Sequence, residues 1–178
     1  LAVALEMGVT PDRITAALET FGGVGRRFET KGTSGGVTVI DDYGHHPVEI
    51  RAALRAGRML CGTNKLVAVV QPHRYSRLAD LFEDFCACFN DADEVLVADV
   101  YAAGEAPIDG VGRDALVSGL RDHGHRGPAA LAGPESLARE ILSRTDDGDL
   151  VMCLGAGDIT GWAAKLPAEM DALRGNGA

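Results

Sequence analysis

Short apolar runs alternate with amphipathic stretches along most of the chain. Five runs contain the β-branched and aliphatic residues that are typical of strands. The run at 65–70 is almost wholly apolar, as expected for a strand that is buried on both faces. The pattern predicts strands at 37–40, 65–70, 94–100, 129–132 and 149–154, of which the fourth is the weakest.

A predicted helix follows each of these strands. Regular alternation of strands and helices predicts an α/β fold, with a mainly parallel sheet flanked by helices on both faces and joined by right-handed crossovers. The clearest helix has apolar residues at helical spacing on one face: Leu78, Leu81, Phe82, Phe85 and Phe89. The other predicted helices carry Ile50 and Leu54, Leu116 and Leu120, Leu137 and Ile141, and, in the last one, Trp162.

The first 21 residues do not follow this alternation and instead predict two helices joined by a turn. Thr10 is placed to cap the second helix and Pro11 suits its first position. The glycine-rich segment 22–25 then predicts a domain boundary and a hinge. Because helical sequence begins at once, we expect the chain to be part of a longer polypeptide. The apolar residues predicted to lie on one face of the second helix are Ile14, Leu18 and Phe21.

Composition and charge narrow the class of protein. Of the 178 residues, 46% are hydrophobic and 24% are charged, which is enough apolar surface to form a core and excludes a disordered tail. No apolar run approaches the ~18 residues that span a membrane, so no membrane insertion is expected. The net charge of −9 argues against nucleic acid as a partner. Four cysteines without paired spacing predict packed, reduced thiols in a cytosolic protein.

Ligands of parallel sheets bind beyond the carboxyl ends of the strands, where this chain has polar clusters. The first cluster, 41–47, contains two carboxylates, a phenol and two imidazoles at the start of a helix. A carboxylate there could accept hydrogen bonds from a ribose diol, and a helix N-terminus favours an anion. A capped turn with surface histidines is the alternative. Adjacent histidines are only a weak metal pattern, so no metal is assigned.

The second cluster, 71–77, opens the next helix with two cations. Arg74 and Arg77 are three residues apart and could converge on one carboxylate or phosphate, with His73 as an added donor. Two cations oppose the helix dipole there unless an anion binds, which argues against a merely solvated helix start. The cluster at 99–105 is equally explained by capping or turns. The glycine loop 155–159 is equally explained as an ordinary strand-to-helix turn.

Several catalytic motifs are missing from the sequence. No glycine is followed by Lys and then Ser or Thr, so the chain has no phosphate-gripping P-loop. GxSxG and HExxH motifs are also missing. The polar clusters are therefore expected to form half of a site that a further domain completes.

Five segments together resemble the Mur ligases of bacterial cell-wall synthesis, in order along essentially the whole chain. They are GVGRRFE at 23–29, DDYGHHP at 41–47, QPHRYSR at 71–77, DVYAAGE at 99–105 and GAGDI at 155–159. The second and third segments favour the branch of the family that adds L-alanine.

The resemblance implies the domain organisation. Residues 1–25 would be a short helical remnant of the central ATPase domain, and residues 26–178 the C-terminal Rossmann-like domain. The implied reaction uses ATP and Mg²⁺, bound mainly by the central domain, to join L-alanine to UDP-N-acetylmuramate through an acyl phosphate in the cytoplasm. This chain alone would then be inactive. Another Mur-type ligase with a different amino acid or peptide, or a stand-alone nucleotide-binding module, remains the alternative.

The resemblance also implies roles for residues at matching positions. Arg27 is similar to the family's interdomain arginine, and Asp42 to the carboxylate that holds the ATP ribose. The implied nucleotide-binding residues are Arg27, Asp42, Tyr43 and His45. The implied residues for L-alanine or the intermediate are His46, His73, Arg74, Arg77 and Asp158.

Overall fold

The computed structural model describes residues 2–20 and 24–175. Its central feature is one sheet with helices on both faces. The strands are β1 (Glu29–Ser34), β2 (Val37–Asp42), β3 (Leu66–Val70), β4 (Glu94–Val97), β5 (Pro128–Ala130) and β6 (Leu150–Leu154). The helices are α1 (Ala2–Glu6), α2 (Pro11–Glu19), α3 (Pro47–Cys61), α4 (Tyr75–Asp80), α5 (Phe82–Cys86), α6 (Arg113–Asp122), α7 (Pro134–Leu142) and α8 (Ile159–Gly175).

The strand order is β1-β2-β6-β3-β4-β5, with all pairs parallel except β1 with β2. The predicted α/β fold with a mainly parallel sheet is confirmed, and the five predicted strands correspond to β2 through β6. The strand predicted at 94–100 ends at Val97. The weakest predicted strand is the shortest one, β5, with three residues.

The structure adds an edge strand that the hydrophobic pattern did not predict. β1 has the sequence ETKGTS, which lacks an apolar run, and it pairs antiparallel with β2. Gly35 and Gly36 both have positive φ and form the two-residue connection between the strands, a backbone shape that favours glycine. Pairing with β2, rather than burial of its own apolar side chains, therefore makes this segment a strand.

The predicted helix over 78–89 is interrupted, which corrects the expectation from its spacing. Leu81 leaves the helical conformation, with φ −118° and ψ 25°, and separates α4 from α5. α5 then ends at Cys86, so Phe89 lies beyond it. Leu78, Phe85 and Phe89 still reach the same core. The bend thus keeps the apolar side chains buried at the expense of a continuous helix.

The core has two layers because successive residues of a strand face opposite sides of the sheet. One layer packs Ile40 and Val70 against α3, α5 and α6. The other packs Val39 and Val69 against α7 and α8. All four cysteines are free, as predicted, and burial raises the pKa of the Cys86 thiol to about 11 and that of Cys88 to about 12.

The N-terminal helices α1 and α2 contribute few buried side chains. Pro11 begins α2 and Thr10 occupies the N-cap position, as predicted, but the Thr10 side chain makes no capping hydrogen bond. On the predicted face of α2, Ile14 is buried and Leu18 is exposed, whereas Phe21 and residues 22 and 23 of the predicted hinge lie outside the described residues. Among the helices of the described residues, none is long and apolar enough to cross a bilayer.

Candidate functional site

The strand order brings three of the polar clusters to one end of the sheet. β6 lies between β2 and β3, so the loops that follow these three strands are neighbours. The segment after β4 joins them through a parallel bridge between His73 and Tyr101. The carboxyl ends of four strands therefore contribute to one surface.

The turn after β2 is held by the buried carboxylate of Asp42. Its Oδ1 accepts the Gly44 N–H at 2.7 Å, and its Oδ2 accepts the Phe28 N–H at 2.8 Å. A Cβ at Gly44 would lie 2.8 Å from Asp42 Oδ1, so glycine is needed for this close approach. Asp42 thus ties the segment 24–29 to the turn, and only 7% of the residue is exposed.

Tyr43 lies under two arginines. The guanidinium carbon of Arg26 is 4.8 Å from the ring centroid and that of Arg27 is 5.4 Å away. These distances are within the range of cation–π attraction. The backbone N–H of Tyr43 also donates to the carbonyl of Arg26 at 2.7 Å. The Tyr43 ring therefore lies within reach of both guanidinium groups.

His45 and His46 begin α3 together with Glu49. Both backbone N–H groups donate to Glu49 Oε2, at 3.1 and 3.3 Å, and His46 Nδ1 accepts the Val48 N–H at 3.4 Å. Burial by itself would raise the pKa of the Glu49 carboxyl. The backbone amide donors and the positive charges of His45 and Arg27 outweigh burial, so the pKa of Glu49 is lowered. This capping arrangement commits His46 Nδ1 to the helix start.

His73 and Arg77 form a pair at the end of β3. Arg77 Nη1 donates to the His73 carbonyl at 3.0 Å and lies 3.2 Å from His73 Nδ1. Burial, followed by the positive charges of Arg77, His45 and Arg74, lowers the pKa of His73. A neutral imidazole can accept a hydrogen bond from the guanidinium, which fits this geometry.

Arg74 extends toward solvent from a strained backbone. Its φ is +72°, a left-handed value that is uncommon for residues other than glycine. The side chain is 51% exposed, with Nη1 3.9 Å from Glu105 Oε1. Beside it is an open cleft of about 340 Å³ lined by His46, Arg74, Ser76, Arg77, Asp80 and Leu81.

A row of rings connects the two predicted groups of residues. The Tyr43 and His45 centroids are 5.1 Å apart, those of His45 and His73 are 5.8 Å apart, and His73 stacks on Tyr101 at 5.4 Å. The structure therefore places the cluster after β2 next to the cations after β3.

The glycine loop after β6 is fastened to the same surface by Gln71. Its buried amide donates to Asp158 Oδ1 at 2.6 Å and accepts the Ile159 N–H at 3.3 Å. Gly157 packs directly against Gln71 and Tyr101. The exposed carboxylate of Asp158 thereby has a fixed position at the edge of the site.

A buried charge cluster supports the loop from beneath. Asp41 is fully buried, accepts the Thr160 hydroxyl hydrogen bond at 2.6 Å, and lies 3.6 Å from Lys31 Nζ and 3.7 Å from Arg26 Nε. Arg26 also donates through Nη2 to the Gly155 carbonyl at 2.7 Å. Among the described residues, no hydrogen-bond partner reaches Asp41 Oδ1 or Arg26 Nε.

Several residues of this surface were not assigned a role from the sequence. Tyr101 and Glu105 belong to the segment 99–105, whose pattern was ambiguous, and Gln71 precedes the cations in the segment 71–77. Arg26 is adjacent to the predicted Arg27. In the part of the chain that the structure describes, no three His, Cys, Asp or Glu side chains are arranged to hold a metal ion.

Comparisons with known proteins agree with this architecture. The family model described as "Mur ligase, glutamate ligase domain" matches residues 26–157. The chain is 61% identical over 175 residues to the UDP-N-acetylmuramate–L-alanine ligase of Rhodospirillum centenum, covering 98% of this chain and 36% of that protein. It is 61% identical over 177 residues to the enzyme of the same name from Phenylobacterium zucineum, covering 99% of this chain and 37% of that protein.

A solved structure shows the same fold. The UDP-N-acetylmuramate-alanine ligase MurC of Thermotoga maritima superposes with a TM-score of 0.78 at 26% sequence identity, over 97% of this chain and 36% of that one. The chain therefore spans a little over a third of the length of the relatives that it matches.

Proposed function

Since the chain belongs to the Mur ligase family, through its glutamate ligase domain, we propose that it is the C-terminal domain of an ATP-dependent ligase that joins L-alanine to UDP-N-acetylmuramate. The curated relatives at 61% identity carry that name. The reduced cysteines fit a cytoplasmic location. Residues 1–25 then belong to the central ATPase domain and 26–178 to the C-terminal domain.

The observation that carries the proposal is the placement of Arg74 and Arg77 beside the turn after β2. Both cations follow β3, and His73, which Arg77 contacts, is 5.8 Å from His45 between ring centroids. A carboxylate of a small amino acid is the ligand that such a pair binds well, because the charge-assisted hydrogen bonds are strong. We assign His46, His73, Arg74, Arg77 and Asp158 to the L-alanine side of the site.

The nucleotide side of the site is assigned to the other edge of the same surface. Arg27 and Tyr43 present a cation and an aromatic ring, and the carboxylate of Asp42, which is 7% exposed beside them, is the group assigned to the ribose diol. His45 lies between the two sides. The proposed nucleotide-binding residues are Arg27, Asp42, Tyr43 and His45.

In the proposed reaction, ATP phosphorylates the muramate carboxylate and the neutral amine of L-alanine attacks the acyl phosphate, releasing phosphate and forming the amide. Fixing L-alanine by its carboxylate orients the amine, which lowers the barrier by several kcal/mol. Packing of this surface against the ATPase domain would exclude water from the acyl phosphate. Mg²⁺ would neutralise phosphate charge. We expect the central ATPase domain to hold this ion.

The experiment uses the full-length protein and measures phosphate release from ATP in the presence of UDP-N-acetylmuramate. L-alanine should stimulate release more than glycine, L-serine or D-glutamate, and the 178-residue chain alone should be inactive. Stimulation by a different amino acid or a peptide would identify another Mur-type ligase.

The same assay tests the assigned cations. Arg74→Ala and Arg77→Ala should each raise the KM for L-alanine roughly 10- to 100-fold, because each removes a charged hydrogen-bond donor worth about 1.5–3 kcal/mol. Arg126→Ala, at the amino ends of the strands, is the matched control and should leave the KM unchanged. An unchanged KM in both site variants would contradict the assignment.

A further inference from the structure

Glu105 makes three contacts with the start of α4, although it lies 29 residues further along the chain than Ser76. Its Oε2 accepts the Ser76 N–H at 3.0 Å and its Oε1 accepts the Ser76 hydroxyl at 2.7 Å. The third contact is the ion pair with Arg74 Nη1 at 3.9 Å. One carboxylate thus contacts both Arg74 and Ser76 in the cationic segment.

The backbone at Arg74 needs such support. A non-glycine residue with φ of +72° costs free energy relative to its relaxed conformation, and it persists only where the surroundings hold it. One restraint is the hydrogen bond from the Arg74 N–H to the Tyr101 carbonyl at 2.9 Å. The hydrogen bonds from Ser76 to Glu105 supply a second restraint, and this one depends on a side chain.

The charge state of Glu105 suits this arrangement. The backbone N–H and the hydroxyl of Ser76 lower the pKa of the Glu105 carboxyl, so it is ionised at neutral pH and accepts both hydrogen bonds. By contrast, its ion pair with Arg74 is long and faces solvent on a half-exposed side chain. Exposed ion pairs of this kind are weak, so an incoming carboxylate can replace Glu105 at the guanidinium.

We propose that Glu105 is a positioning residue for the amino-acid carboxylate: through its two hydrogen bonds with Ser76 it fixes the start of α4, and its weak ion pair with Arg74 gives way when the substrate carboxylate binds. This role rests on the proposed function, since it assumes that Arg74 binds L-alanine. Glu105 itself does not touch the substrate. It acts on the KM for L-alanine and not on the chemical step.

The test measures L-alanine-dependent phosphate release by the full-length enzyme. Glu105→Ala should raise the KM for L-alanine roughly tenfold, because a displaced cation binds its ligand poorly, and it should leave the KM for ATP and kcat within about twofold. In Glu105→Gln the carbonyl oxygen can accept the Ser76 N–H and the NH₂ group can donate to the hydroxyl. Its KM for L-alanine should therefore equal the wild-type value or fall below it, since no carboxylate competes for Arg74.

Controls separate positioning from a general loss of structure. Glu169→Ala removes an exposed carboxylate on α8 and should match the wild type. Ser76→Ala should raise the KM for L-alanine about threefold, with little further increase in the Glu105→Ala background, because the two changes remove the same contact. Should Glu105→Ala fail to fold, an unchanged KM in Ser76→Ala alone overturns the proposal.

The remaining outcomes are also decisive. An unchanged KM for L-alanine in Glu105→Ala would contradict the positioning role. So would an equal rise in the KM for L-alanine and the KM for ATP. A Glu105→Gln variant with a KM for L-alanine as high as that of Glu105→Ala would contradict it too. A wild-type enzyme without any response to L-alanine would contradict the proposed function and this inference together. A wild type that responds while Glu105→Ala is unaffected contradicts only the inference.

Discussion

His73 lies at the centre of the ring row, and its protonation state decides what it offers to Arg77. Burial is the largest cause of its lowered pKa, followed by the charges of Arg77, His45 and Arg74. The unfolded chain binds this proton near the ordinary value of 6.5, whereas the folded chain binds it only at lower pH. The folded state therefore loses stability as the pH falls from 6.5 toward the lowered pKa, and the shift has no effect at higher pH.

We expect the His73 imidazole of the 178-residue chain to titrate with a midpoint below 6.5 in histidine NMR spectra. Arg77→Ala should move the midpoint upward but leave it below 6.5, because burial remains. Arg126→Ala, far from this ring, should leave the midpoint unchanged. A midpoint at or above 6.5 in the unsubstituted chain would contradict the assignment of a neutral His73 as the acceptor of the Arg77 hydrogen bond.

The two adjacent arginines show what can be read from sequence at this scale and what cannot. Arg27 was predicted from a motif, and its side chain is 49% exposed. Arg26 has the same side chain but points inward, where it contacts Asp41 and the Gly155 carbonyl, 129 residues away. Residue type cannot distinguish the two positions. The difference depends on the backbone carbonyls that the fold brings near Arg26.

At the scale of elements, the loop between β6 and α8 depends on a residue without a side chain. A Cβ at Gly157 would overlap Gln71 Oε1 and lie 2.7 Å from Tyr101 Cγ. Gln71 holds Asp158 and the first turn of α8, and Tyr101 stacks on His73. A methyl group at this position would therefore disturb both the L-alanine side of the proposed site and the start of the helix.

Gly157→Ala should destabilise the chain by about 1–3 kcal/mol, the usual cost of forcing a group into a filled space. Gly161→Ala provides the matched control on α8, where a Cβ meets nothing within 4 Å. It should stabilise the chain by up to about 1 kcal/mol, because alanine favours helix more than glycine does. Urea unfolding monitored by circular dichroism measures both values. Equal effects from the two substitutions would show that Gly157 is not confined by its neighbours.

The sequence predicted the strands whose side chains are buried. It did not predict the strand that depends on pairing with a neighbour, or the break within the helical segment. The strands β2, β3 and β6 are buried along nearly their whole length, and their apolar runs identify them. β1 carries Lys31, which reaches the buried Asp41, and its strand conformation depends on a neighbour in the sheet. The break at Leu81 leaves no mark in the spacing of apolar residues, because the bent segment still packs Leu78, Phe85 and Phe89 into the core.

For the whole molecule, the sheet order explains why separate motifs form one surface. β6 is the last strand in the chain but lies between β2 and β3, so the glycine loop sits among clusters that precede it by more than 70 residues. Sequence reasoning predicted that the clusters follow parallel strands but could not give the order of the strands. The proximity of His45 to His73 follows from that order.

The proposed division at residue 25 predicts how the chain tolerates truncation. α1 has no buried residues, and α2 buries only Ile14 among its described side chains, while several apolar residues of this region are exposed. A chain that begins at Val24 keeps β1, the Arg26 contacts and both core layers. Its melting temperature should lie within about 3 °C of that of the 178-residue chain, because little apolar surface is lost.

The matched control begins at Val37 and also removes β1. It deletes Arg26 and Lys31, which leaves the fully buried Asp41 without its cations and opens the edge of β2. Removing the partners of a buried charge costs about 3–5 kcal/mol, so this chain should melt roughly 10 °C lower or fail to fold. Thermal unfolding by circular dichroism compares the three chains. A large fall in melting temperature on removing α1 and α2 alone would place the domain boundary elsewhere, because those helices would then be part of the same cooperative unit.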